Sequence, residues 1–243
     1  MCGGGTEGWN PGFKQLWGFL GEAACPGEFH LSFPFCHLCR FFPSPVDPHS
    51  LRERSWLFYP ERVDGGRITP EGSYVFKEAT FVEALGERGY ETVCIGGVNF
   101  FSKKNEMGKV FPGYFKKSYW RPLFGCTEPE SARHQVDFAI GQLNQYSADQ
   151  RIFLYINFSA IHYPNCHYVP GKQTDDKESH AAAFRSIDRE LPRLFEAFRK
   201  RSNTLVIALS DHGTCYGEDG YEKHGIAHEV VYTVPYKHFM ITP

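Results

Sequence analysis

From residue 78 onwards the apolar positions follow two alternating periods. In EATFVEALGERG (78–89), Phe81, Val82 and Leu85 share one helical face and Gly89 supplies a C-cap. TVCIGG (92–97) reads as a short buried strand broken by two glycines. Helical spacing returns in SARHQVDFAIGQLNQY (131–146) through Val136, Ile140 and Leu143. RIFLYINF (151–158) is a nearly continuous apolar run, the pattern of a strand covered on both faces. Between 177 and 201, Ala183, Ile187, Leu191, Leu194, Phe195 and Phe198 recur helically, and Pro192 predicts a kink or an early break. Asn203 closes that helix and TLVIALS (204–210) repeats the buried-strand pattern. VVYTVPYKHFMI (230–241) reads as a final strand with Tyr232 and Tyr236 as packing aromatics.

Strands and helices in strict alternation predict an α/β fold, a mostly parallel sheet with helices on both faces. Two regions depart from the rhythm. Residues 1–50 are rich in Gly, Pro and Phe without a sustained period, so they are expected to form an irregular, atypical N-terminal segment, leaving 51–243 as the α/β domain. Residues 99–130 read as a long insertion rich in aromatics and Lys.

Composition narrows the function. The 243 residues suit one large domain. Lys and Arg number 26 against 28 Asp and Glu, a net charge of −2, so nucleic-acid binding has no electrostatic support. No apolar run reaches the roughly 18–20 residues of a membrane-spanning helix. The start, MCGGGTEGWNPGF, shows no basic then apolar leader pattern. The eight Cys are scattered, which points to reduced thiols and a cytoplasmic protein. A single CxxC, Cys36 and Cys39, is expected to be a pair of free thiols rather than a zinc site.

The chemistry gathers after two strands. Parallel sheets hold ligands at the carboxyl ends of their strands. TLVIALS runs into Asp211-His212-Gly213, and RIFLYINF runs into a loop carrying His162-Tyr163-Pro164. Carboxylate oxygen with imidazole nitrogen suits zinc or manganese better than calcium. Gly213 would let the backbone turn away beneath the site. The following loop, TCYGEDGYEKHGIAHE (214–229), adds His224 and His228 four residues apart. The alternative for each histidine taken singly is a surface or loop-capping role. Gly96-Gly97 lacks a nucleotide-binding fingerprint, Asp175-Asp176 reads as a helix N-cap, and the Lys pairs 103–104 and 116–117 read as a solvated loop face.

SDHGTCYGEDGYEKHG (210–225) and SAIHYPNCHYVP (159–170) together resemble the motifs of the alkaline phosphatase superfamily, in its sulfatase-like and phosphoethanolamine-transferase branches, most closely a bacterial sulfatase-like group. The resemblance covers roughly residues 75–243 and implies an alkaline-phosphatase-like core holding a divalent metal. By that resemblance Asp211 and His212 are paired metal ligands. His224 binds a second metal or the phosphoryl group, His162 contacts the transferred group, and His228 is a ligand or substrate contact.

The same resemblance implies a metal-dependent hydrolase or transferase acting on small anionic phosphate or sulfate esters. The superfamily also places an acid on its first strand and a Thr, Ser or modified Cys nucleophile soon after it. Before residue 32 the only acids are Glu7, Glu22 and Glu28, none ending an apolar strand, and Ser32 in Ser32-Phe33-Pro34 is the nearest nucleophile candidate. The start therefore reads as truncated or divergent. The alternative expectation is a metal-binding homologue that is catalytically inactive.

Overall fold

The computed structural model describes residues 80–224 and 228–243, and the backbone of three short strands at 21–24, 56–58 and 73–75. In chain order the strands are β1 (Gly21–Ala24), β2 (Trp56–Phe58), β3 (Ser73–Val75), β4 (Glu91–Ile95), β5 (Lys117–Tyr119), β6 (Ile152–Ile156), β7 (Thr204–Leu209), β8 (Cys215–Tyr216), β9 (Glu222–Lys223) and β10 (Thr233–Ile241). The helices are α1 (Phe81–Glu87), α2 (Glu106–Gly113), α3 (Ser131–Leu143), α4 (Lys177–Arg201) and α5 (Glu229–Tyr232). Ser32, Cys36 and Cys39 lie outside the described residues.

Strand β4 is the centre of a parallel sheet in the order β5-β4-β6. Its successive side chains point to opposite faces, and each face meets helices. Cys94 joins Val82 of α1, Phe111 of α2 and Phe153 of β6 on one side. Ile95 joins Val136 of α3, Leu194 of α4 and Leu154 of β6 on the other. This is the expected α/β class with helices on both faces.

Helix ends follow from local chemistry. Thr80 caps α1 through a reciprocal pair with Glu83, and Gly89 at φ +82° follows its end, as expected. Asp176 caps α4 in the same way with Ser179, the N-cap role expected of it. The 99–130 insertion contributes α2 and edge strand β5, so it extends the parallel sheet.

Three expectations need correction. The final strand begins at Thr233, because Tyr232 closes the short helix α5 that His228 caps. Pro192 lies inside α4, which runs unbroken to Arg201. One backbone donor is lost there, but Ile187 and Leu194 on either side remain buried, and Arg201 ties the far end to the carbonyls of Leu143, Tyr146, Ser147 and Gln150. Strand β7 is not doubly covered within the parallel sheet. Among the described residues it pairs antiparallel with β10, which also pairs with β1. Val206 stands opposite Phe239, which packs on Phe195 of α4, while Leu205 and Ile207 on the other face are 58% and 53% exposed. An apolar run alone does not distinguish one covered face from two.

Candidate active site

The carboxyl ends of β6 and β7 open into one shared cleft. Its frame is set by Asn157 at the end of β6. The Asn157 side-chain oxygen accepts from Gly97 N at 3.3 Å and Val98 N at 3.1 Å, and its carbonyl accepts from buried Gln135 at 2.7 Å. Gly97 has to be small here, because a Cβ would lie 2.5 Å from that same carbonyl. The ends of β4 and β6 are thereby locked together beside α3.

Asp211, His212, His162 and His224, expected from sequence to share one sheet edge, all line this cleft. The His212 side chain is only 7% exposed. Its Nδ1 is 2.7 Å from Gly213 O, and a carbonyl only accepts, so Nδ1 carries the proton. In the neutral ring Nε2 then bears the lone pair, 3.8 Å from Asp211 Oδ2. His162 has the same tautomer for the same reason, with Nδ1 2.6 Å from Tyr163 O. Aromatic rings connect the two sides of the cleft. His162 stacks on Tyr163 at 4.3 Å, Tyr163 meets His224 at 5.9 Å, and His224 stacks on His212 at 4.1 Å and 23°.

The Asp211–His212 pair has donors suited to zinc or manganese. Among the described residues, however, no three His, Cys, Asp or Glu side chains form a group that could close around a metal ion.

His228 is turned to another task. Its Nδ1 accepts from Val230 N at 3.1 Å and caps α5, while Nε2 lies 3.0 Å from Asp219 Oδ2. It does not line the cleft. Gly213 is needed for close approach, and its φ is not in the left-handed range. A Cβ on Gly213 would stand 1.9 Å from Val230 O. The Lys pairs serve the scaffold: Lys103 donates to Ser118 O, Lys104 lies over Trp120, Lys116 holds the carbonyls of Gly86 and Tyr90, and Lys117 pairs with Glu91.

Two cleft residues were not legible as site residues. His180, in the first turn of α4, and Tyr216, in β8, face each other with His180 Nδ1 3.0 Å from the Tyr216 hydroxyl. Burial lowers the pKa of His180, with Asp175 opposing, and raises that of Tyr216. The signal was faint, a histidine four residues after the Asp-Asp cap. Ser159, though next to β6, is fully buried and donates to Phe124 O at 2.5 Å.

A sequence model of the family described as Sulfatase matches residues 57–237. No curated protein matches the chain. Among solved structures, an alkaline phosphatase superfamily protein from Vibrio parahaemolyticus is similar with a TM-score of 0.55 and 16% identity, over 95% of this chain and 54% of its own. The C-terminal periplasmic domain of the phosphoethanolamine transferase EptC from Campylobacter jejuni is similar with a TM-score of 0.50 and 16% identity, over 72% and 59%. The corresponding domain of EptC from Escherichia coli has a TM-score of 0.50 and 16% identity, over 67% and 51%. The chain thus spans between half and three fifths of the length of these structures, and at such identity the likeness concerns the fold.

Proposed function

Since the chain belongs to the Sulfatase family, with the whole cleft inside the matched segment, we propose that it is a metal-dependent hydrolase or transferase of phosphate or sulfate esters. The observation that carries this reading is the gathering of Asp211, His212, His162 and His224 around one cleft from two strand ends and a loop. Asp211 and His212 would hold a divalent cation, zinc or manganese, with the remaining donors coming from outside the described residues. Such a cation, when bound, neutralises the ester's oxyanion and lowers the pKa of an attacking hydroxyl. His162 and His224 would contact the transferred group, their orientation fixed by the rings of Tyr163 and His212. A hydroxyl, with Ser32 as the candidate, would attack, and water or an acceptor alcohol would resolve the resulting ester.

The substrate in this reading is a small anionic ester. Among the described residues no helix is long and apolar enough to cross a membrane. Cytoplasmic residence belongs to the same proposal, supported by the scattered spacing of the eight Cys. A second reading, a metal-binding homologue without catalysis, is supported by the sequence before residue 32, where Glu7, Glu22 and Glu28 are the only acids and none ends an apolar strand.

The test is turnover of 4-nitrophenyl phosphate and sulfate with added zinc or manganese, with metal content measured on wild type and Asp211→Ala. Turnover that falls roughly hundredfold or more in Asp211→Ala, together with lost metal, supports the enzyme reading. Metal binding lost in Asp211→Ala without any turnover in wild type selects the inactive homologue. Absence of turnover with metal content indifferent to Asp211 removes both.

A further inference from the structure

The imidazoles of the cleft are not equivalent, because what faces Nδ1 decides what Nε2 can offer. His162 and His212 each set Nδ1 on a backbone carbonyl, so Nδ1 carries a proton in both. His180 is arranged in the opposite sense, and the chain of hydrogen bonds behind it shows why.

Asn165 is fully buried, and its amide orientation is dictated by Ile161 O, 3.3 Å away, which only accepts. The atom facing that carbonyl is therefore Nδ2, and the Asn165 Oδ1 accepts from Ser179 Oγ at 2.6 Å. The same Nδ2 donates to the Tyr216 hydroxyl at 3.3 Å. With that oxygen accepting, its single proton is directed to His180 Nδ1 at 3.0 Å. Burial keeps the Tyr216 hydroxyl protonated and the His180 ring neutral. The one ring proton of His180 is then on Nε2, which has no protein partner among the described residues although the ring lines the cleft. His180 thus differs from His162 and His212, in which Nδ1 carries the proton.

We infer that His180 is an anion-binding residue of this cleft, donating Nε2–H to the phosphoryl or sulfuryl oxygens of the ester, and that Tyr216 and Asn165 are positioning residues that hold it in the donor tautomer. This inference rests on the proposed reading of the cleft as an anionic-ester site. The donor stays neutral, so it binds the anion without adding a charge that would repel a neighbouring cation. A hydrogen bond to a charged oxygen in a partly dry site is strong enough to govern affinity.

The experiment uses the full chain labelled with ¹⁵N, with long-range ¹H–¹⁵N spectra of the histidine rings and calorimetric titration with inorganic phosphate and sulfate. The expected wild-type spectrum shows His180 protonated on Nε2 and a downfield shift of that proton as phosphate is added. His180→Ala should lower phosphate affinity roughly tenfold or more, while His180→Gln, whose amide can donate in place of Nε2–H, should retain most of it. Tyr216→Phe should admit the Nδ1–H tautomer and weaken phosphate binding severalfold with the imidazole still present, an effect that a merely structural His180 would not produce. A wild-type spectrum with the proton on Nδ1, or anion affinity in both His180→Ala and Tyr216→Phe within twofold of wild type, overturns the inference. If His180→Ala does not fold, the wild-type spectrum and Tyr216→Phe decide. Ester turnover unaccompanied by any His180 effect on anion affinity sinks this inference alone, and His180-dependent anion binding without turnover sinks the catalytic reading alone. A wild type that neither binds the anions nor turns over esters ends both.

Discussion

Gly213→Ala tests whether the Asp211–His212 corner is held by backbone contact with α5. An ideal Cβ there would lie 1.9 Å from Val230 O, 3.0 Å from Val230 C and 3.3 Å from Val231 Cα. Real Cβ contacts essentially never fall below 3.0 Å, so one of the two backbones has to move by about 1 Å. Neither is a flexible side chain that could swing aside. Val230 N is pinned by the His228 cap at 3.1 Å, and Gly213 N donates to Val231 O at 2.9 Å, so motion also strains one of these bonds. Overpacking of this kind costs ~1–3 kcal/mol, and a lost hydrogen bond adds ~1 kcal/mol. The expected loss is about 2–4 kcal/mol, a large part of the ~5–15 kcal/mol that holds a typical domain. Under the proposed esterase reading, a displacement of ~1 Å at the Asp211–His212 corner costs on the order of a hundredfold in rate, so turnover in the folded fraction should fall by a similar factor. Gly141→Ala is the control: it sits in α3 with nothing within 4 Å of its Cβ. That change should stabilise by ~0.5–1 kcal/mol. Guanidinium unfolding of both variants beside wild type, with turnover measured on each, reads both quantities. A Gly213→Ala protein within 0.5 kcal/mol of wild type and with undiminished turnover would refute the contact as the reason for glycine.

His228→Ala should behave as the loss of a helix cap, lowering stability by ~1 kcal/mol while phosphate affinity stays within twofold of wild type. His228→Asn should recover part of the loss, and a large fall in phosphate affinity would return His228 to the site. The pH dependence should show Glu218. The Lys177 ammonium, with help from the Tyr216 and Glu218 backbone amides, holds its carboxyl at about 2 against an ordinary 4.5. A depressed carboxylate contributes stability that is complete above its unfolded value and is lost as pH falls from 4.5 towards 2. Urea midpoints of wild type should therefore decline across that window more steeply than those of Glu218→Gln, and parallel curves would reject the assignment.

Local periodicity was sufficient for much of the scaffold. Helices α1, α3 and α4 and strands β4, β6 and β7 stand where their apolar spacing predicts, because a helical face or a buried strand must be apolar at fixed intervals whatever it packs against. The shared cleft of Asp211, His212 and His162 follows a related rule: polar groups shortly after an apolar strand emerge at its carboxyl end, and the ends of β6 and β7 open into one cleft, which His224 joins from a later loop.

What required the folded chain was every feature that depends on a partner distant in sequence. The exposed face of β7 follows from its pairing with β10, and the covered one from α4, neither of which an apolar run encodes. His224 and His228 look alike at a four-residue spacing, yet one stacks on His212 and the other caps α5. Gly213 owes its identity to a carbonyl seventeen positions on, and the tautomer of His180 to an asparagine on another loop. Sequence spacing sets which way a side chain leaves its own backbone. Only the tertiary arrangement decides which donor or acceptor it then meets, and with it whether an imidazole offers a lone pair or a proton.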